Sequence, residues 1–214
     1  MRLRHIPGAE EQIAESPFVI QAPWANRGHW AEVFGNTNPI EIEVGMGKGK
    51  FIMELAQSHP QVNYVGIEVY STVLLKAIQK RKDMELPNLR FLRVDARALA
   101  EIFGPEEVEK IYLNFSDPWP KDRHAKRRLT SPGFMAVYDK ILKPAGAVEF
   151  KTDNRDLFDY SLEAIPSAGW TVDLQTFDLH NSPFVEGNVM TEYETKFLAE
   201  GKPICKLRAR RKRG

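Results

Sequence analysis

The chain has 214 residues, 30 basic against 29 acidic, with 43% hydrophobic and 28% charged residues. Its single cysteine, Cys205, excludes an internal disulfide or a thiolate metal cluster, and its five histidines stand at no metal-ligand spacing. No stretch approaches the roughly 20 apolar residues of a membrane span, and the first residues lack the apolar run of a secretory signal, so a soluble, cytoplasmic, single-domain protein is expected over 1–214.

Residues 1–30 hold no clean period. Trp24, Arg27, Gly28, His29 and Trp30 form a polar-aromatic patch that reads as an arm or cap, or equally as a lid of packed aromatics over one end of a sheet. From residue 39 the pattern becomes regular. A strand over 40–44 ends at Gly45, and Phe51, Ile52, Leu55 and Ala56 mark one face of the helix that follows. A second strand spans 64–68, and Ser71 caps a helix carrying Val73, Leu74, Ala77 and Ile78. A third strand covers 89–95, with a short helix over 98–103, and a fourth covers 110–115. Ser131-Pro132 opens a helix with Pro at its first position. A fifth strand over 147–152 leads to a helix capped by Asp153/Asn154 and stopped at 166–169. Strands near 170–180 and 196–208 follow, joined by a loop over 181–195, and 208–214 reads as a basic tail.

This alternation predicts an α/β doubly wound, mostly parallel sheet with helices on both faces and an antiparallel hairpin at one edge. Ligands of such sheets bind at the carboxyl ends of the strands, near the reversal of strand order. Those ends carry Glu43, Glu68, Asp95, Asp117 and Asp153. Any one of them reads as a helix cap. Five together are hard to ascribe to stability, because clustered carboxylates repel.

The first strand runs into Glu43-Val44-Gly45-Met46-Gly47-Lys48-Gly49. A dinucleotide fingerprint needs its third glycine at position 50, which is lysine, and the Gly-Lys-Ser/Thr of a phosphate loop is missing. Glu68, 23 residues after Gly45, is placed to accept two ribose hydroxyls, and Asp95 to accept from an adenine amine. The set fits a nucleoside without phosphate.

After the fourth strand come Asn114-Phe115-Ser116-Asp117-Pro118-Trp119-Pro120, then Lys121, Arg123, His124, Lys126, Arg127 and Arg128. An acid, a rigid aromatic corner and a cationic run suit a polyanion carrying a planar base. Ordinary rim packing is the alternative for Trp119, and a plain hairpin connection for 181–195.

These motifs, with Phe150-Lys151-Thr152-Asp153-Asn154 and Met190-Thr191-Glu192-Tyr193-Glu194, resemble the bacterial tRNA (guanine-N7)-methyltransferase family over about residues 33–200. The resemblance implies a Rossmann-like class I methyltransferase fold with a seven-stranded sheet. It also implies S-adenosylmethionine as cofactor, no metal, and methylation of N7 of a variable-loop guanine in tRNA by a monomer or homodimer. By the same resemblance Glu43, Gly45, Gly47, Glu68, Asp95 and Asp117 bind the cofactor, with Asp117 the catalytic candidate. Lys121, Asp153, Thr191, Glu192, Tyr193 and Glu194 bind substrate, and Arg123, His124, Lys126, Arg127 and Arg128 touch the RNA. Two other readings are a non-catalytic RNA-binding module and a nicotinamide-dependent oxidoreductase, the latter disfavoured by Lys50.

Overall fold

The computed structural model describes residues 6–212, so Arg2, Arg4 and Arg213, three of the chain's terminal cations, lie outside the described residues. Seven strands form one sheet: β1 (Ile40–Val44), β2 (Asn63–Ile67), β3 (Leu89–Leu92), β4 (Val108–Asn114), β5 (Leu142–Thr152), β6 (Trp170–Thr176) and β7 (Cys205–Arg211). Their order is β3-β2-β1-β4-β5-β7-β6, parallel except for β7, which runs antiparallel to both β5 and β6. The order reverses between β1 and β4, so the carboxyl ends of those two strands border the expected crevice.

Among the described residues eight α-helices accompany the sheet: α1 (Ala9–Ala14), α2 (Trp30–Phe34), α3 (Lys50–Ser58), α4 (Ser71–Arg81), α5 (Leu99–Ile102), α6 (Pro132–Asp139), α7 (Arg155–Ser167) and α8 (Glu192–Ala199). One core gathers Ile42, Val44, Leu113 and Phe150 with Met135 and Tyr138 of α6 and Phe158 of α7. A second sets Phe51, Ile52 and Leu55 of α3 and Leu74 and Ile78 of α4 against Phe91 and Tyr112. The 1–30 segment proves to be packed structure: Phe18 and Ile20 hydrogen-bond Phe91 and cover the edge of β3. Trp30 is buried, stacked on Phe103 at 4.8 Å, while Trp24 stays 63% exposed.

Several boundaries differ from the sequence reading; β5, for example, begins at Leu142 rather than at 147. Ser71 is the first residue of α4 and its side chain caps nothing; Glu68 accepts from the Tyr70 N–H instead. Asn154, not Asp153, caps α7, accepting from Leu157 N–H at 2.8 Å. Residues 192–199 are helical, and the last strand starts only at Cys205. Arg208, Arg210 and Arg211 are therefore strand residues, not a tail; Arg208 and Arg210 both reach Asp173 at 2.9 Å. The signal for α8 stood in the sequence: Thr191-Glu192-Tyr193-Glu194 is a capping box, and Thr191 Oγ1 accepts from Glu194 N–H at 2.9 Å.

Candidate active site

The glycine turn after β1 is shaped for close approach of a ligand. Gly45, Gly47 and Gly49 all have positive φ (77°, 59° and 77°), a conformation that side chains resist. A Cβ at Gly45 or Gly47 would meet nothing within 4 Å, so the backbone there borders open space. Glu68 braces the turn from β2: its Oε2 accepts from Gly47 N–H at 3.1 Å and its Oε1 from Tyr70 N–H at 2.9 Å. Burial raises the Glu68 carboxyl above its ordinary range; the backbone donors of Tyr70, Gly47 and Val69 oppose that, and the nearby charge of Asp117 reinforces it.

Glu43 lies deeper, buried in β1. Asn114 donates to its Oε1 at 2.9 Å, while Oε2 is buried without a hydrogen-bond partner. Burial pushes the Glu43 carboxyl up to about 8, with Asn114 and the Lys151 charge pulling the other way. An orphaned buried acceptor is costly. A cationic ligand group within reach would relieve it. Open glycine backbone, a braced carboxylate and an unpartnered acid fit the amino-acid and ribose portions of S-adenosylmethionine.

Asp95 departs from this pattern. It caps a 3-10 turn over Ala96–Ala98 and is paired with Arg97 at 2.6 Å, which holds its carboxyl below the usual range. Its oxygens are therefore shared with the chain itself, although about half the side chain remains accessible.

Asp117 is exposed and has no hydrogen-bond or ion-pair partner among the described residues. It sits on an unusual turn, because Phe115 (φ 51°) and Trp119 (φ 43°) are left-handed without being glycine. Each such residue costs on the order of 1–3 kcal/mol and persists only where its surroundings hold it. Arg128 is the clamp. It donates from Nε to Pro118 O at 3.1 Å and from Nη2 to Trp119 O at 3.0 Å, with its guanidinium 4.2 Å from the Tyr160 ring centroid. Being only 9% exposed, Arg128 cannot stand among the RNA-contacting cations as expected. Lys121, Arg123, Lys126 and Arg127 are exposed and unpaired with any acid among the described residues. Arg127 lies 4.8 Å from the Trp119 ring centroid, and His124 packs edge-on against the same ring at 5.8 Å.

The two arginines are thus separable. Arg127→Ala should weaken RNA binding and lower the slope of log affinity against log salt by about one, with the melting temperature unchanged. Arg128→Ala should lower the melting temperature and leave the salt slope alone. Equal salt slopes in the two variants would contradict the division.

The 188–194 segment departs most from expectation. Glu194 is fully buried, with both oxygens engaged: Lys151 donates to Oε2 and Asn188 to Oε1, each at 2.6 Å. His180 Nε2 lies 3.2 Å from Oε1 without making a hydrogen bond. Glu194 has no free face for a substrate. Thr191 is spent on its cap, and Glu192 bridges Lys48 of the glycine turn, at 2.9 Å, to Lys80 of α4. Burial disfavours the charge on Glu192, yet the two lysines outweigh it and hold the carboxyl low. Lys50 adds a bond to Met190 O at 2.7 Å. These residues fasten the segment over the glycine turn; Tyr193 and the half-buried Asp153 are left facing outward.

A cavity of about 290 Å³ lies beside this site, behind Asn114 and Lys151. Its wall is a ladder of alternating charge on one sheet face, running Glu41, Lys110, Glu149, Lys206.

A methyltransferase family, described as "putative methyltransferase", matches residues 37–207. The tRNA (guanine-N(7)-)-methyltransferase of Lachnoclostridium phytofermentans is 59% identical over 213 residues, covering 100% of both chains. The protein of the same name from a Geobacillus species is 53% identical, covering 95% of this chain and 93% of its own. The chain belongs to the tRNA (guanine-N(7)-)-methyltransferase family.

Solved structures agree on the fold. An antibiotic-related methyltransferase superposes with a TM-score of 0.64 at 19% identity, covering 85% of this chain and 92% of its own. The 16S rRNA methyltransferase KamB gives 0.65 at 14% identity, covering 85% and 91%. The chain thus has the fold of these methyltransferases, and no helix among the described residues is long and apolar enough to cross a membrane.

Proposed function

We propose that the protein transfers a methyl group from S-adenosylmethionine to N7 of a guanine in the variable loop of tRNA, acting in the cytoplasm as a monomer or homodimer. The observation that carries the reading is the convergence, at the reversal of strand order, of an open glycine turn, the acids Glu43, Glu68 and Asp117, and an unpaired cationic run. Family membership names the reaction.

When bound, the cofactor supplies an electrophilic methyl group. Glu68 and the glycine turn would hold its ribose, and Glu43 would offset the charge of its amino-acid end. Guanine N7 carries a lone pair and no proton, so no general base is needed, and positioning must do most of the work. The purine gains positive charge as the bond forms, and the exposed carboxylate of Asp117 would stabilise that charge. Lys121, Arg123, Lys126 and Arg127 anchor phosphates, compensating the cost of exposing N7 from folded RNA. Asp153, free of capping duty, is the remaining acid for the guanine N1–H and amino edge. The direct test is transfer of labelled methyl to unmodified tRNA transcripts with guanine or adenine at the target; equal labelling of both would refute the assignment.

The Glu43 assignment carries a pH signature. With its carboxyl near 8, the folded protein without ligand binds more protons than the unfolded chain between about pH 4.5 and 8. Its stability contribution therefore falls as pH rises through that window. A cationic ligand reverses the preference, so binding at pH 7 should release about one proton and strengthen toward pH 8. Calorimetry in buffers of different ionisation heat reads this directly. Glu43→Gln should abolish the release; an unchanged release would contradict the role.

A further inference from the structure

The cavity of about 290 Å³ behind Asn114 and Lys151 has no part in the proposed methyl transfer. Its residues Glu41, Tyr112 and Glu149 stand two positions before Glu43, Asn114 and Lys151 on β1, β4 and β5. They share that sheet face but lie one pleat below the ligand crevice. Four charged side chains line this face in a row. Lys110 stands between Glu41, at 3.6 Å, and Glu149, at 3.8 Å; Glu149 in turn lies 3.2 Å from Lys206. Both contacts of Lys110 are too long for hydrogen bonds. Tyr112 donates to Glu41 Oε2 at 2.7 Å and fixes that carboxylate in place. Glu41, Glu149 and Lys206 keep 19% or less of their side-chain surface exposed, so bonds left unmade there are costly unless something entering the cavity completes them.

The acids and lysines of the lining balance: Glu41, Glu149 and Glu186 against Lys110, Lys151 and Lys206, with Lys151 already bonded to Glu194. Phe51 and Leu55 of α3 and Val62 add apolar wall. An anion would set its charge against the carboxylates, and a cation against the lysines. Phosphate sites carry an excess of positive charge that this one lacks. A ligand with both signs side by side satisfies both. The volume falls at the lower edge of the roughly 300–1,000 Å³ usual for ligand pockets, which points to a guest smaller than a nucleotide. We infer that the cavity is a binding site for a free α-amino acid with an aliphatic side chain. Its carboxylate is held by Lys110 or Lys206, its ammonium by Glu41 or Glu149, and its side chain by Phe51, Leu55 and Val62. Such a site stands apart from the methyl transfer and does not depend on which base is methylated.

The experiment titrates L-leucine against the full chain by ligand-observed NMR, with S-adenosylmethionine saturating so that the amino acid is kept out of the cofactor site. Leucine should bind at roughly millimolar concentration or tighter. Two analogues keep one charge each: 4-methylpentanoate lacks the ammonium, and 3-methylbutylamine lacks the carboxylate. Each should bind about tenfold or more weakly, the loss expected for one hydrogen bond to a charged group. Glycine keeps both charges without the side chain and should lose about as much. Glu149→Gln and Lys110→Gln should each weaken leucine about tenfold or more while leaving S-adenosylmethionine affinity unchanged, which shows that the variants are folded. Absence of leucine binding to wild type would overturn the site. So would a single-charge analogue or glycine that binds as well as leucine, or leucine affinity unchanged in both variants. A leucine signal seen only without S-adenosylmethionine would place the amino acid in the cofactor site and overturn the proposal as well.

Discussion

Asp117→Ala should lower turnover by at least about a hundredfold while leaving the fold intact, the size of loss typical when a group aimed at developing charge is removed. The side chain is exposed and bonds to no other described residue, so its removal leaves no stranded partner. Its effect must fall on ligands. Asp117→Asn separates charge from shape: if the carboxylate stabilises the cationic purine, the amide should be nearly as inactive as alanine. The neighbouring scaffold makes the effect sharp, because Arg128 fixes the carbonyls of Pro118 and Trp119 and so sets the direction of the turn. Single-turnover rates at saturating cofactor and tRNA measure it. Full activity in either variant would remove Asp117 from the chemistry.

Lys151→Met should be the most destabilising single change near the site, by roughly 3–5 kcal/mol, because it leaves the buried Glu194 carboxylate without its cation. Burial pulls the Lys151 ammonium down from its ordinary value, and the Glu194 carboxylate beside it pulls it back. The same ammonium donates to Asn188 Oδ1 at 3.1 Å and Val189 O at 2.9 Å. Its loss therefore frees the segment that roofs the glycine turn. Replacing both charges, as in Lys151→Met with Glu194→Leu, should recover part of the stability because neither is stranded. Chemical denaturation of the two variants checks this. A single variant as stable as wild type would show that the pair is not what fastens the segment.

Much of the fold was legible because strand ends, glycines and helix faces obey short-range rules. Gly45, Gly47 and Gly49 announced a turn by spacing alone, and the acids Glu43 and Glu68 came to lie beside that turn as strand-end logic required. Direction was what the sequence did not reveal. Glu194 and Arg128 have the chemistry of ligand-binding side chains, yet both turn inward because a partner distant in sequence waits there: Lys151 for the first, the carbonyls of Pro118 and Trp119 for the second. The expectation of a strand over 196–208 held only from Cys205 and failed over 196–204 for a related reason. Phe197 and Leu198 satisfy either period, and only the capping box at Thr191 marked the segment as helical. Lys151 was itself a clue, a charge alternating with Glu149 against the apolar Val148 and Phe150, and it marks the face on which β1, β4, β5 and β7 carry charge.

The stretch after β4 now divides differently. Asp117 faces the ligands, Trp119 is held between Arg127 outside and its own carbonyl bond to Arg128 inside, and only the exposed cations remain for phosphate. The central claim, attack by guanine N7, is tested most directly by transfer of labelled methyl to a tRNA carrying 7-deazaguanosine at the target position. That base keeps the shape and the Watson–Crick edge of guanine but has carbon in place of N7. The account predicts binding close to that of the guanosine transcript and no methyl transfer; methylation of the 7-deaza transcript at the target would contradict it.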